Sequence, residues 1–188
     1  MGRWQPDAQG RLQQAALELY AERGFEPTAV ADIAERAGLT ERTFFRYFAD
    51  KREVLFSGSE ALRDLFGSAV ANAPDSLAPI DAVGEALAAT ATFFDGRIEH
   101  SRRRQAVIDA NPSLQERELI KLASLAAAVA EALRGRGVDE AAALLTAEAG
   151  IAVFKVAFGR WVGESNDREL TDLLRETFVG LKGIAKGR

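Results

Sequence analysis

A chain of 188 residues with 47% hydrophobic content is long enough to bury a sizeable core in one or two domains, which excludes a disordered or fibrous class. Its formal net charge of −4 excludes a protein that coats nucleic acid non-specifically, while leaving room for a small basic footprint. The absence of Cys and the single His100 exclude a disulfide framework, thiolate metal sites and any two-histidine motif.

The N-terminal stretch "MGRWQPDAQG" lacks the apolar core of a signal peptide, and no run approaches the roughly 20 apolar residues that a bilayer span needs. The expectation is a cytoplasmic chain without membrane contact. Apolar residues recur at three- and four-residue intervals almost throughout, which predicts an all-α fold of about nine helices. The first helix runs from about Asp7 to Arg23, with Gly24 placed to stop it. Thr28 is the expected N-cap of the second, which ends near Arg36, with Gly38 supplying a left-handed turn. Thr40 caps a short third helix that ends near Phe48, and Asp50 with Glu53 opens a fourth over 51–72. The fifth carries Ile80, Val83, Leu87, Ala91 and Phe94, and the sixth spans Ile98 to about Asp109. Asn111 and Pro112 start the seventh, Asp139 the eighth, and Asn166 with Glu169 the ninth. The domain expectation is a unit over 1–50, followed by a helical domain over 51–188 to which helix four connects it.

Two short helices joined by a glycine-containing turn outline a helix-turn-helix, here a three-helix unit with the first helix. Phe44 and Phe48 lie four apart and read as core. The opposite face of the third helix offers Glu41, Arg42, Phe45 and Arg46, with Thr43 and Tyr47 at its edge. Such a helix fits the DNA major groove, where Arg can bind guanine and apolar atoms can touch a thymine methyl. Thr28, Tyr47 and Lys51 stand at helix ends, where their polar groups suit phosphate. Phe45 reads equally well as core or as a DNA contact. Residues 1–56 hold eight Lys/Arg against nine Asp/Glu, so affinity must come from the placement of a few cations and must fall with salt.

The stretch "ALELYAERGFEPTAVADIAERAGLTERTFFRYFADKREVLF" (16–56) resembles the DNA-binding domain of TetR/AcrR transcriptional regulators. That resemblance implies that the third helix enters the major groove and that Thr28, Thr43, Tyr47 and Lys51 contact DNA. Arg42, Phe45 and Ala29 depart from residues common in the family, so an operator sequence does not transfer from relatives. The resemblance further implies a homodimer on a palindromic double-stranded operator, and a variable C-terminal domain that binds a small-molecule effector.

Helices eight and nine have apolar faces wide enough for pairing into a four-helix bundle, with Phe154, Leu174, Phe178 and Leu181 as seam candidates. A pocket is expected from Phe93, Phe94, Ile98, Val107 and Ile108 facing Leu119, Leu122, Phe158 and Trp161, with ordinary core as the alternative. The arginine run 102–104 reads either as a solvated helix face or as an anion-binding mouth in which Arg104 takes part. The region from Arg104 through Asn111-Pro112 and Arg117 to Trp161 is similar to TetR domains that bind acyl-CoA-like ligands. That second resemblance implies a fatty acyl-CoA effector. The alternatives are a multidrug-type regulator that senses neutral or cationic hydrophobic compounds, and a helical scaffold dimer without DNA binding. No G-x-S-x-G, HExxH, Walker loop or G-x-G-x-x-G is present, so neither an enzyme nor a cofactor is expected.

Overall fold

The structure is a computed structural model that describes residues 7–163 and 167–187. Every regular element among them is helical: α1 (Ala8–Arg23), α2 (Val30–Arg36), α3 (Glu41–Tyr47), α4 (Glu53–Phe56), α5 (Ser59–Ala71), α6 (Pro79–Thr90), a 3-10 turn (Ala91–Phe94), α7 (Ile98–Asp109), α8 (Pro112–Gly135), α9 (Glu140–Val162) and α10 (Leu170–Ala185). The nine expected helices are present, and two are interrupted. The expected fourth breaks at Ser57 and Gly58 into α4 and α5, where the Phe93 ring occupies the space that a Cβ on Gly58 would fill, 2.9 Å away. The expected fifth tightens after Thr90 into the 3-10 turn.

The chain forms two compact units, one of residues 1–57 with 103–118 and the other of residues 58–102 with 119–188. In the first, α1 buries Leu12, Ala16 and Leu19 against Ile33 of α2, Phe44 of α3 and Val54 of α4. Each fully buried Leu, Ile or Phe contributes about 2 kcal/mol of transfer free energy. The turn between α2 and α3 follows from Gly38, whose φ of 64° lets its N–H reach the Glu35 carbonyl while the Leu39 N–H reaches Ala34. Thr40 Oγ1 then accepts from the Thr43 N–H at 3.2 Å and opens α3, as its sequence position predicts. Asp50 Oδ1 accepts from the N–H groups of Arg52 and Glu53 ahead of α4. The Glu53 carboxylate takes Arg117 Nε at 2.6 Å.

The end of α7 and the first turns of α8 complete this unit. Val107, Ile108 and Leu114 are buried in its core, and Arg104 Nε donates to the Leu55 carbonyl at 2.7 Å. Asn111 does not act only as a helix start, because its amide donates back to the Val107 carbonyl at 2.6 Å and closes the corner between α7 and α8.

In the second unit α6 packs on α9 and α10, which pack on each other, with α5 and α8 contributing Phe66, Val70, Val129 and Leu133. Gly150 lets α9 approach α6 closely: a Cβ there would lie 2.5 Å from Val83 Cγ1. Arg136 seals the end of α5 by donating to the carbonyls of Val70, Ala73 and Pro74. Asp139 Oδ1 accepts from the N–H groups of Ala141 and Ala142 and starts α9 as expected. Asn166 lies outside the described residues, and α10 opens from Glu169.

One helix, α9, is by length and composition long and apolar enough to cross a membrane, although Glu148 and Lys155 interrupt its apolar run. Interspersed Ala and Gly hide this in the sequence, because they add apolar character without a run of large side chains. In the folded chain Ala143, Ala147, Ile151, Phe154 and Trp161 on this helix are core.

Candidate functional site

In the first unit most of the described cations are engaged by a carboxylate or a carbonyl. Arg23 pairs with Asp32, Arg36 with Glu18 and Glu22, Arg52 with Asp50, Arg104 with Glu118 and Arg117 with Glu53. Arg11 donates to the Ala37 carbonyl. Among the described residues of this unit, Arg42, Arg46 and Arg103 have no carboxylate or carbonyl partner. Arg42 and Arg46 are exposed one turn apart on the same face of α3. Arg46 is pre-aimed: its Nη2 lies 3.1 Å from the Tyr47 hydroxyl, and its guanidinium carbon lies 4.8 Å from the Tyr47 ring centroid.

The aromatics of α3 divide cleanly. Phe44 is fully buried and Phe48 nearly so, while Phe45 is 55% and Tyr47 40% exposed. Phe45 meets Phe44 edge-on with centroids 5.4 Å apart. Arg42 and Arg46 therefore form the outward ridge, with Phe45 exposed on one flank and Tyr47 on the other, and Thr43 is half-buried with its hydroxyl 3.1 Å from Thr40 Oγ1.

Thr28 and Lys51 stand differently from the other α3-flanking residues. Thr28 is 1% exposed and its hydroxyl donates to the Gly24 carbonyl at 2.8 Å, so Ala29 takes the N-cap position of α2, with Asp32 accepting the Ala29 N–H. Lys51 Nζ donates to the carbonyls of Phe25, Glu26 and Thr28 at 2.8–3.1 Å and sits over the Phe25 ring. Its own carbonyl accepts from the Tyr20 hydroxyl at 2.6 Å. Burial, and after it the Asp50 carboxylate, push the Tyr20 phenol up, so it remains a donor. These contacts fix the loop between α1 and α2. The sequence reading missed Tyr20 because an aromatic at a core spacing gives no sign of a buried hydroxyl.

In the second unit Phe94, Phe154, Phe158 and Trp161 form a continuous ring cluster with centroids 5.4–6.0 Å apart. Phe93 joins through Phe94, with the Arg97 guanidinium 5.2 Å from its centroid. Ile98 and Leu122 are half-buried against the same core. Of the expected pocket residues, Phe93, Phe94, Ile98, Leu122, Phe158 and Trp161 are thus brought together. Leu119 is exposed, and Arg104, Val107 and Ile108 belong to the first unit. Arg104 is occupied by Leu55, Glu118 and the face of Phe56, and burial pulls its guanidinium below the ordinary value against the opposing pull of Glu118.

A cavity of about 300 Å³ opens beside the aromatic cluster, lined by Ala91, Phe94, Gly96, Ile98, Trp161, Leu170 and Thr171 together with Asp95, Asp167, Arg168 and Glu169. Arg168 pairs with Glu176 at 2.6 Å. The polar lining comes from two connections that in sequence give only turn signals.

The expected seam residues also separate. Phe154 and Leu174 are buried in the core of their own unit, and Phe178 and Leu181 are half-buried against it. The apolar side chains that α9 and α10 expose are Leu144, Leu145 and Val156 on one and Val179 and Ile184 on the other. Among the described residues no group of three or more His, Cys, Asp or Glu side chains is placed to hold a metal ion.

Residues 12–57 match the N-terminal domain of the bacterial regulatory proteins of the tetR family, and residues 77–185 match the MftR C-terminal domain. MftR of Mycobacterium tuberculosis, which carries the name of a mycofactocin biosynthesis transcriptional regulator, is 34% identical over 116 residues, or 61% of this chain and 58% of that relative. The chain thus spans under two thirds of that relative's length. FadR of Bacillus subtilis, a transcriptional regulator solved in complex with stearoyl-CoA, shares 17% identity at a TM-score of 0.61 over 92% of this chain and 96% of its own. FadR of Thermus thermophilus, a repressor solved with lauroyl-CoA, shares 22% identity at a TM-score of 0.55 over 93% of each chain. At these identities the two structures show a shared fold. With a matched helix-turn-helix unit and a matched C-terminal domain over more than half its length, the chain belongs to the TetR family of bacterial transcriptional regulators.

Proposed function

We propose that this protein is a cytoplasmic, homodimeric repressor that holds a palindromic operator through α3 and releases it when a hydrophobic small molecule binds the second unit. The observation that carries the reading is the pair Arg42 and Arg46, cations without a carboxylate partner on one exposed helix face of a unit whose other arginines are mostly neutralised. In the major groove such guanidinium groups donate to guanine O6 and N7, and Tyr47 and Thr43 supply hydroxyls for phosphate. Thr28 and Lys51 act behind that face by holding the loop that orients α2.

For the effector we propose a long-chain acyl-CoA. The two acyl-CoA complexes of FadR proteins with this fold support it, as do the apolar side chains Phe94, Ile98, Trp161 and Leu170 on the wall of the cavity. Arg97, exposed beside Phe93, is suited to a phosphate. A second reading has its own observation. Asp95, Asp167 and Glu169 line the cavity together with Phe94 and Trp161, a combination that favours a hydrophobic cation through charge and ring faces.

The experiment is a gel shift of the protein on its own upstream intergenic DNA at low salt, with palmitoyl-CoA in one arm and a hydrophobic cation such as tetraphenylphosphonium in the other. Release by palmitoyl-CoA alone supports the first reading, and release by the cation alone supports the second. A protein that shifts no upstream fragment, and whose Arg42→Ala, Arg46→Ala double variant behaves identically on every duplex tried, is not the repressor proposed.

A further inference from the structure

On the reading that α3 enters the major groove, we infer that Phe45 reads the C5 methyl of a thymine in each operator half-site. Among the described residues of the first unit, the large apolar side chains that stand exposed are Phe45 and Tyr47, both on α3. Tyr47 has a hydroxyl, and Arg46 Nη2 lies within hydrogen-bond distance of it. Phe45 has no polar atom at all, so it can neither donate to a phosphate nor read a base by hydrogen bonding. What a major groove offers such a ring is the thymine methyl, the one apolar group on its floor.

The ring is also held for that task. Phe44 is fully buried and meets Phe45 edge-on at 5.4 Å, which fixes the direction of the exposed ring without covering it. Arg42, three residues earlier, stands beside it about 60° round the helix, and Arg46 lies next beyond Arg42 on the same side. With a helix rise of about 1.5 Å per residue and a duplex rise of about 3.4 Å per base pair, the thymine lies within about two base pairs of a guanine contacted by one of these arginines. A side chain that reads a methyl specifies sequence, whereas a phosphate contact only sets register.

The test begins with selection of bound duplexes from a random library by the full-length protein. The thymine shared by the selected half-sites is then replaced by deoxyuridine, which removes only the methyl. Wild-type protein is expected to lose about fourfold in affinity per substituted half-site, the worth of one methyl-sized contact. Phe45→Ala is expected to bind thymine and uracil duplexes equally, and Phe45→Leu, which keeps an apolar side chain, to retain part of the preference; melting curves confirm that both variants fold. Selected sites without a common thymine, wild-type indifference to the methyl, or an unchanged preference in Phe45→Ala each overturn the assignment to Phe45 while leaving the repressor standing. Failure to select any duplex overturns both.

Discussion

At the scale of single residues, Lys51 and Arg46 are both cations on or beside α3, the helix proposed to face DNA, yet their surroundings predict opposite behaviour. Lys51 donates to three carbonyls of the loop between α1 and α2, and a charged hydrogen-bond set of this kind is worth about 2 kcal/mol. Lys51→Ala is therefore expected to lower Tm by several degrees and to weaken DNA binding through the fold. Arg46→Ala is expected to leave Tm unchanged, to weaken DNA binding about tenfold or more and to reduce its salt dependence. Thermal melts alongside binding titrations at several salt concentrations separate the two. Asp50 gives a pH signature. Burial opposes its ionisation, but hydrogen bonds from Arg52 and from the Glu53 and Arg52 backbone N–H groups outweigh it and hold the carboxyl below its ordinary value. A depressed carboxyl stabilises the fold fully above its unfolded pKa of about 3.9 and loses that contribution as pH falls through the lower folded value. Asp50→Ala is thus expected to cost about 1 kcal/mol near neutrality, with the gap to wild type closing below about pH 4 in a series of melts. In the sequence, Arg42 and Arg46 were legible as outward because helical spacing sets them opposite Phe44 and Phe48. Phe45, at the border of that core face, read equally as core or as a DNA contact, and only its exposure in the fold decides against core. The use to which Thr28 and Lys51 are put was not legible, since both depend on carbonyls that only the folded loop presents.

At the scale of elements, close approach governs the second unit. Gly150 sits on the buried face of α9 where a Cβ would meet Val83 Cγ1 at 2.5 Å, and Val83 is itself fully buried on α6. A β-branched side chain locked in a packed core has nowhere to turn, so Gly150→Ala is expected to destabilise by about 1–3 kcal/mol despite its better helix propensity, measured by denaturant unfolding. Gly84 faces a similar conflict with the Phe178 ring, but that ring is half-buried and has room to swing, so Gly84→Ala is expected to cost less. Helix positions were legible along the chain because caps and glycines act locally, as Gly38, Thr40 and Asp139 do. The close approach at Gly58 was not, because the ring that fills the space beside it is Phe93, a residue distant in sequence. The same limit applies to Val107, Ile108 and Leu114: periodicity marks them as buried without saying which of two cores buries them.

At the scale of the whole molecule, the palindromic operator proposed above needs two recognition helices, so on that proposal DNA affinity depends on a surface far from α3 in the sequence. On α9, Leu145, Ala149, Ala152, Val156 and Gly159 recur at alternating four- and three-residue steps, a second stripe beside the core stripe of Ala143, Ala147, Ile151 and Phe154. On α10 the exposed counterpart is Val179, Gly180 and Ile184, and a Cβ at Gly159 or Gly180 would meet nothing. The seam proposed for two copies is this outer stripe, since the residues nominated by apolar character alone, Phe154 and Leu174, are consumed by the core of their own unit. Val156→Arg and Val179→Arg, each at an exposed position, are expected to leave the far-ultraviolet helical signal and the aromatic core intact. Desolvating an unpaired guanidinium in a helix seam is costly, so the double variant is expected to sediment as one chain where wild type sediments as two. Its operator affinity is expected to fall at least a hundredfold while binding to a single half-site persists, because only the second contact has been removed. A double variant that remains paired in sedimentation would place the seam elsewhere on the second unit.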